Sequence, residues 1–184
     1  MKNEFCILRT IGKDRVGIVD DISEVIFQCG CNIEESRMAV LGGEFAVIML
    51  VSGNDGAIDA LKEKADSHSL SGITMELVPT NSPSESETKE DRILYTIESV
   101  SFDAPGIVRS VTGLLRTFDI NVEDLETETT AAPWTGAPMF HMRVRVSIKR
   151  GSSIKKLKDS LEELGLEEGL DIRIKALGIE ESFI

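Results

Sequence analysis

The sequence predicts an α+β fold of two ferredoxin-like βαββαβ domains, each an antiparallel sheet with its helices on one face. Three observations predict it. A shift of 89 residues lays Asp14 on Asp103 and repeats much of the chain beyond it. Apolar residues in each half recur with periods of strand, helix, strand, strand, helix and strand, in that order. A segment rich in proline, serine and acid, "PTNSPSESETKED", divides the halves.

The shift pairs Gly17 with Gly106, Ile18 with Ile107, Val19 with Val108, Asn32 with Asn121 and Glu34 with Glu123, without a gap. Beyond that span "EFAVIMLVS" meets "MFHMRVRVS" only after a six-residue insertion within "TTAAPWTGAP". The boundaries expected are a first domain over 1–79, a linker over 80–91, and a second domain over 92–184 with an inserted loop at 131–138.

"FCILRTIG" alternates in part and reads as the first strand. Val19, Ile22, Val25, Ile26 and Cys29 then form one apolar helix face, closed by Gly30. "NIEESRMAVL" is a mixed, polar strand, and Gly42-Gly43 allows a tight hairpin. "EFAVIMLVS" is the most apolar strand and belongs inside the sheet. "DGAIDALKEKAD" is an amphipathic helix, and "ITMELVP" alternates as the last strand. Met38, Met49 and Met75 read as core or strand packing. The second half repeats the plan with "RILYTIESVS", a helix through Val108, Val111, Leu114, Leu115 and Phe118, "NVEDLETETT", "MFHMRVRVSI", "SIKKLKDSLEEL" and "DIRIKAL".

Composition narrows the function. The 184 residues are 41% hydrophobic and 28% charged, enough apolar material for packed cores. No apolar run is long enough for a membrane span, and the N-terminus lacks a signal-peptide pattern, so a cytoplasmic protein with no membrane partner is expected. A net charge of −12 without a dense basic cluster argues against direct nucleic-acid binding. An RNA-binding variant of the fold would also need stacking aromatics, and each central strand offers a single phenylalanine. Cys6, Cys29 and Cys31 read as small buried hydrophobes, with no histidine at ligand spacing, so no metal is assigned. Two distant histidines and no nucleophile motif leave no catalytic residue to name, and no cofactor.

The repeated turn has defined physical uses. A glycine at a helix start lets the backbone approach another group, and the helix N-terminus offers N–H donors to a carboxylate. Asp14 or Asp103 can cap its helix or meet an ammonium group. Together these suit a free amino acid. Asn32 and Asn121 start the next strand, where an amide can bridge two parts of such a ligand or simply serve the turn.

D-x-x-G-[IV] after a first strand, Asn-[IV] 15 residues past its glycine, and the βαββαβ plan resemble the ACT domain, an amino-acid-responsive regulatory module. Asp103-Ala104-Pro105-Gly106-Ile107 fits the family form D-x-P-G-[IVL]; Asp14-Arg15-Val16-Gly17-Ile18 has valine for proline. The resemblance implies ligand contacts at Asp14, Arg15, Gly17, Ile18 and Asn32, and at Asp103, Pro105, Gly106, Ile107 and Asn121. Two such domains without an attached enzyme look like the glycine cleavage system transcriptional repressor family, as does "AAPWTGAPMFHMRVRVSI". That resemblance implies a glycine-responsive transcriptional regulator that contacts a transcription activator protein. A sensor whose ligand turns meet other helix ends across a domain or subunit interface is expected to form a homodimer or higher homo-oligomer. The alternative is an ACT-type adaptor, or an allosteric regulatory subunit of an amino-acid metabolic enzyme, with a different effector or none. Trp134, the one tryptophan, sits in the inserted loop as either a partner-binding anchor or local packing.

Overall fold

In β1 (Glu4–Lys13), Cys6, Leu8 and Thr10 are buried while the residues between them are not. That alternation sets one face of the strand against a core. In α1 (Ile18–Gln28) the buried residues Ile18, Ile22 and Ile26 recur every fourth position and meet the same core. β2 (Asn32–Leu41), β3 (Glu44–Gly53), α2 (Asp55–Asp66) and β4 (Ile73–Thr80) complete the unit. β3 contributes Phe45, Val47, Met49 and Val51, and α2 adds Leu61 and Ala65. The strands lie in the order β2-β3-β1-β4, antiparallel throughout. One alternate set of strand residues shares a core with both helices, so both helices cover the same sheet face.

These features come from a computed structural model that describes residues 3–67, 70–82 and 92–177. The chain divides into two compact units, residues 1–87 and 88–184. Most of the expected linker, His68 and the segment "GIEESFI" lie outside the described residues.

The second unit repeats the plan as β5 (Arg92–Phe102), α3 (Ile107–Thr117), β6 (Asn121–Ala131), β7 (Pro138–Lys149), α4 (Ile154–Glu168) and β8 (Asp171–Ala176). Its sheet order is β6-β7-β5-β8. Its core is its own, built on Ile97, Val111, Leu115, Val144, Val146, Leu157 and Leu161.

Two local expectations need correction. α4 continues a turn beyond Leu164 to Glu168. Gly165 lies inside it, buried, because a Cβ there would stand 2.7 Å from the Leu170 carbonyl oxygen. That glycine serves close packing rather than termination, and Gly169 ends the helix instead. Of the three methionines expected to pack, Met49 and Met75 are buried, but Met38 lies on the edge strand β2 and is 55% exposed. Among the cysteines, Cys6 is buried and Cys31 packs against the first core from beyond the end of α1. Burial chiefly, with the neighbouring Cys29 and Cys6, pushes the Cys31 thiol up to about 11.

Candidate functional site

Both repeated turns are built alike. Each glycine is the N-cap of its helix in the left-handed region, Gly17 at φ 85° and Gly106 at φ 103°. A Cβ on either would meet nothing within 4 Å, so the backbone angle demands glycine and the space above it is open. Each turn is pinned by its aspartate backbone. The Asp14 N–H donates to the Gly43 carbonyl at 3.0 Å, and the Asp103 N–H donates to the Pro138 carbonyl at 3.1 Å.

The aspartate side chains do not cap. α2 and α4 are capped by Asn54 and Ser153, whereas α1 and α3 have no side-chain cap at all. Among the described residues, neither the Asp14 nor the Asp103 carboxylate has a hydrogen bond or ion pair. Each therefore remains available to an ammonium group.

The two turns differ in charge. α1 carries Asp20 and Asp21 in its first turn, which already answer the positive end of the helix dipole and repel an incoming carboxylate. Arg15 is engaged by Asp21 at 2.5 Å. α3 has no acid in its first turn. The Ile18 N–H donates to the Arg15 carbonyl at 3.3 Å, while no acceptor is found for Ile107, Val108 or Arg109 N–H among the described residues. The second turn is the better carboxylate site. Ile18 and Ile107 themselves are 3% and 5% exposed, so their side chains belong to the cores and only their backbone faces the turn. Val16 and Pro105 are exposed at the turn tips.

Asn32 and Asn121 are not brought to these turns. Asn32 lies opposite Ser52, and Ser52 opposite Phe5, near the start of β1; the turn follows Lys13. Eight strand steps separate the two levels, about 26 Å. A free amino acid cannot touch both within one unit. The sequence places Asn32 only 15 residues after Gly17, but α1 carries the chain back along the sheet in that interval. Each asparagine belongs instead to a duplicated polar cluster. Asn32 Nδ2 donates to Glu34 Oε1 at 3.1 Å, and Ser52 Oγ donates to the same oxygen at 2.5 Å. Asn121, Glu123 and Ser147 repeat it at 3.5 and 2.5 Å. In both units the strand register shifts at this glutamate, so the cluster holds a β-bulge. The sequence signal for it is the second residue after each asparagine, a glutamate in both halves.

The Ser52 hydroxyl, then Asn32, hold the Glu34 carboxyl below its ordinary 4.5. A lowered folded-state pKa gives stability that is present above 4.5 and is lost as pH falls through the folded value. Glu34→Gln is therefore expected to flatten the acid-side fall in melting temperature, read by circular dichroism between about pH 3 and 6. An unchanged slope would remove this cluster from the acid response.

The inserted loop adjoins the second turn through Pro138. It is closed by Ala132 N–H to the Ala137 carbonyl at 2.8 Å and Gly136 N–H to the Ala132 carbonyl at 2.9 Å. Trp134, at its tip, is 97% exposed, which excludes local packing. Phe102, immediately before Asp103, is 70% exposed. His141, on β7, is half-buried and shares a hydrogen bond with Thr130 Oγ1 at 3.0 Å. No group of three or more His, Cys, Asp or Glu among the described residues could hold a metal ion. No described helix is long and apolar enough to cross a membrane.

Comparison with known proteins fits this architecture. Residues 4–76 match the ACT domain family model. The chain is 26% identical over 164 residues to the glycine cleavage system transcriptional repressor of Escherichia coli K12, covering 89% of this chain and 85% of that protein. The Shigella flexneri protein of the same name matches equally. A crystal structure of an unknown protein from Galdieria sulphuraria is 31% identical and superposes with a TM-score of 0.81, over 96% of this chain and 100% of that one. With the family match over the first unit, and the same elements and glycine turn in the second, the chain is a tandem ACT-domain protein resembling the glycine cleavage system transcriptional repressors.

Proposed function

We propose that this protein is an amino-acid-responsive regulator of transcription whose effector site is the Asp103–Ile107 turn. Free glycine is the favoured effector, in keeping with the names of the curated relatives. One observation carries the reading: an unpartnered Asp103 carboxylate beside a helix N-terminus with open amides and no acid in its first turn. Those amides suit the effector carboxylate and Asp103 its ammonium. Pro105 and Gly106 shape the turn, and Ile107 contributes its N–H. The Asp14–Ile18 turn, with Val16 for proline and acids at 20 and 21, is the weaker site. The protein acts through a protein partner, such as a transcription activator, with Trp134 as an exposed anchor, rather than on nucleic acid. It works as a homo-oligomer and has no catalytic role.

A thermal-shift titration against the twenty amino acids tests this. At 100 times its dissociation constant an effector stabilises by about 2.7 kcal/mol, roughly 5–10 °C for a chain of this size. Glycine is expected to give that shift, and Asp103→Ala to remove it. No shift with any amino acid would favour an adaptor without an effector.

A further inference from the structure

The two units share a fold, but the sheet faces turned away from their helices have diverged. On the first sheet, register places Ile7, Leu50 and Val78 side by side in one row. Ile11 and Ala46 pair two rows away, and Ile48 lies between. Ile11 is 55% exposed and Ile48 48%. The matching row of the second sheet reads Arg145, Thr96 and Lys175 in place of Leu50, Ile7 and Val78. Arg143 and Glu98 stand there where the first sheet has Ile48 and Arg9. That second face is laced with ion pairs: Arg145–Asp124 at 2.8 Å, Lys175–Glu98 at 3.2 Å and Arg143–Glu98 at 3.5 Å. The same backbone surface thus carries charge at Arg145, Lys175 and Arg143 in the second copy where the first has Leu50, Val78 and Ile48, so the first face is the more aliphatic of the two although Arg9, Glu76, Arg37 and Glu35 also stand on it. The fold does not require the apolar residues, and a sheet face of that kind marks an interaction surface.

We infer that this face of the first unit is the homodimer interface, packed against the same face of a second copy. The charges on it are internally answered, Arg9 by Glu76 at 2.9 Å, Arg37 by Glu35 at 3.6 Å and Lys13 by Glu44. A face with aliphatic rows whose charges balance among themselves offers little to a charged partner but matches itself about a two-fold axis. Four strands about 4.8 Å apart and nine residues long cover roughly 550 Å² per copy, or about 1,100 Å² for the pair. That reaches the lower end of specific interfaces, which begin near 1,000–1,200 Å². The chain's net charge of −12 opposes association at long range, so added salt should strengthen the dimer. The assignment gives a surface to the homo-oligomer proposed above and rests on that part of the reading alone, since it needs no effector.

Sedimentation velocity of the full chain without amino acids, over about 1–100 µM, is the test. The wild type is expected to sediment as a dimer. Ile48→Arg and Leu50→Arg install the residue types that Arg143 and Arg145 occupy in the second unit. Each acts twice in a two-fold interface and is expected to raise the dimer Kd about a hundredfold or more. Arg143→Ala on the ionic face should leave the dimer intact. Circular dichroism checks folding, and Ile48→Ser with Val78→Thr replaces any arginine variant that does not fold. A wild-type monomer across that range, or folded face variants that remain dimeric, would overturn the assignment. Glycine titration of the monomeric variant separates the two readings: a retained thermal shift leaves the effector proposal standing whatever the dimer does.

Discussion

Phe45→Ala is expected to cost about 3–5 kcal/mol of stability, the largest effect of any single truncation in the first unit. The phenyl ring is fully buried on the core face of β3, opposite Gly12 of β1 and Val40 of β2. Its removal from water contributes a transfer term, and the hole left by alanine adds a cavity term that neighbouring strands cannot close. Gly12 cannot fill the gap, since it has no side chain and the Gly72 carbonyl oxygen already stands 2.5 Å from where its Cβ would be. Urea unfolding followed by circular dichroism should show a lower midpoint with an unchanged slope. Val16→Ala provides the control. That side chain is fully exposed at the turn tip, so its removal should change stability by no more than about 0.5 kcal/mol. A loss below about 1 kcal/mol at Phe45 would mean that this core is not close-packed.

The same contrast between buried pattern and local geometry governs how far the sequence can be read. Periodicity carries the elements, because burying one sheet face and one stripe of each helix forces periods of two and 3.6 on the chain. Cys6, Leu8 and Thr10 alternate in β1 for that reason, and Ile18, Ile22 and Ile26 are spaced along α1. Periodicity fails where a residue's role depends on a neighbour on another element. The helical segment "SIKKLKDSLEEL" stops short of Gly165, and only the Leu170 carbonyl against it explains why a glycine stands inside the helix. Met38 carries the inward parity of its strand yet remains exposed, since its strand lies at the sheet edge.

The candidate site shows the same division. Gly17 and Gly106 are legible, because a left-handed residue at a helix start can be almost nothing else. Whether the nearby aspartates cap cannot be read from spacing, and they do not. Asn32 looks adjacent to its turn in sequence, but the helix between them returns the chain to the far end of the sheet. The asymmetry between the turns is written in Asp20 and Asp21, and acquires meaning only once the N–H groups they answer are located.

Substitution at Gly106 is expected to separate conformation from recognition, with complete loss of the effector response as the larger effect. Leaving the left-handed region is not possible while the turn stays pinned to Pro138. Gly106→Ala should therefore cost about 1–2 kcal/mol, Gly106→Val at least as much, and Gly106→Asn clearly less, since asparagine tolerates that region. No steric term enters from the protein, as the space around the missing Cβ is empty. The same ranking should hold at Gly17, which has the same geometry. The two positions part company on ligand binding. Under the proposed function, the open space over the α3 amides is where the effector carboxylate lies, so even the well-folded Gly106→Asn fills it. The glycine-induced thermal shift should vanish in Gly106→Asn and survive in Gly17→Asn, whose helix already answers its dipole with Asp20 and Asp21. A Gly106→Asn protein that still responds to free glycine would move the effector off this turn. Loss of response at Gly17 alone would reverse the order of the two sites and make the acids of α1, not its amides, the ligand-facing groups.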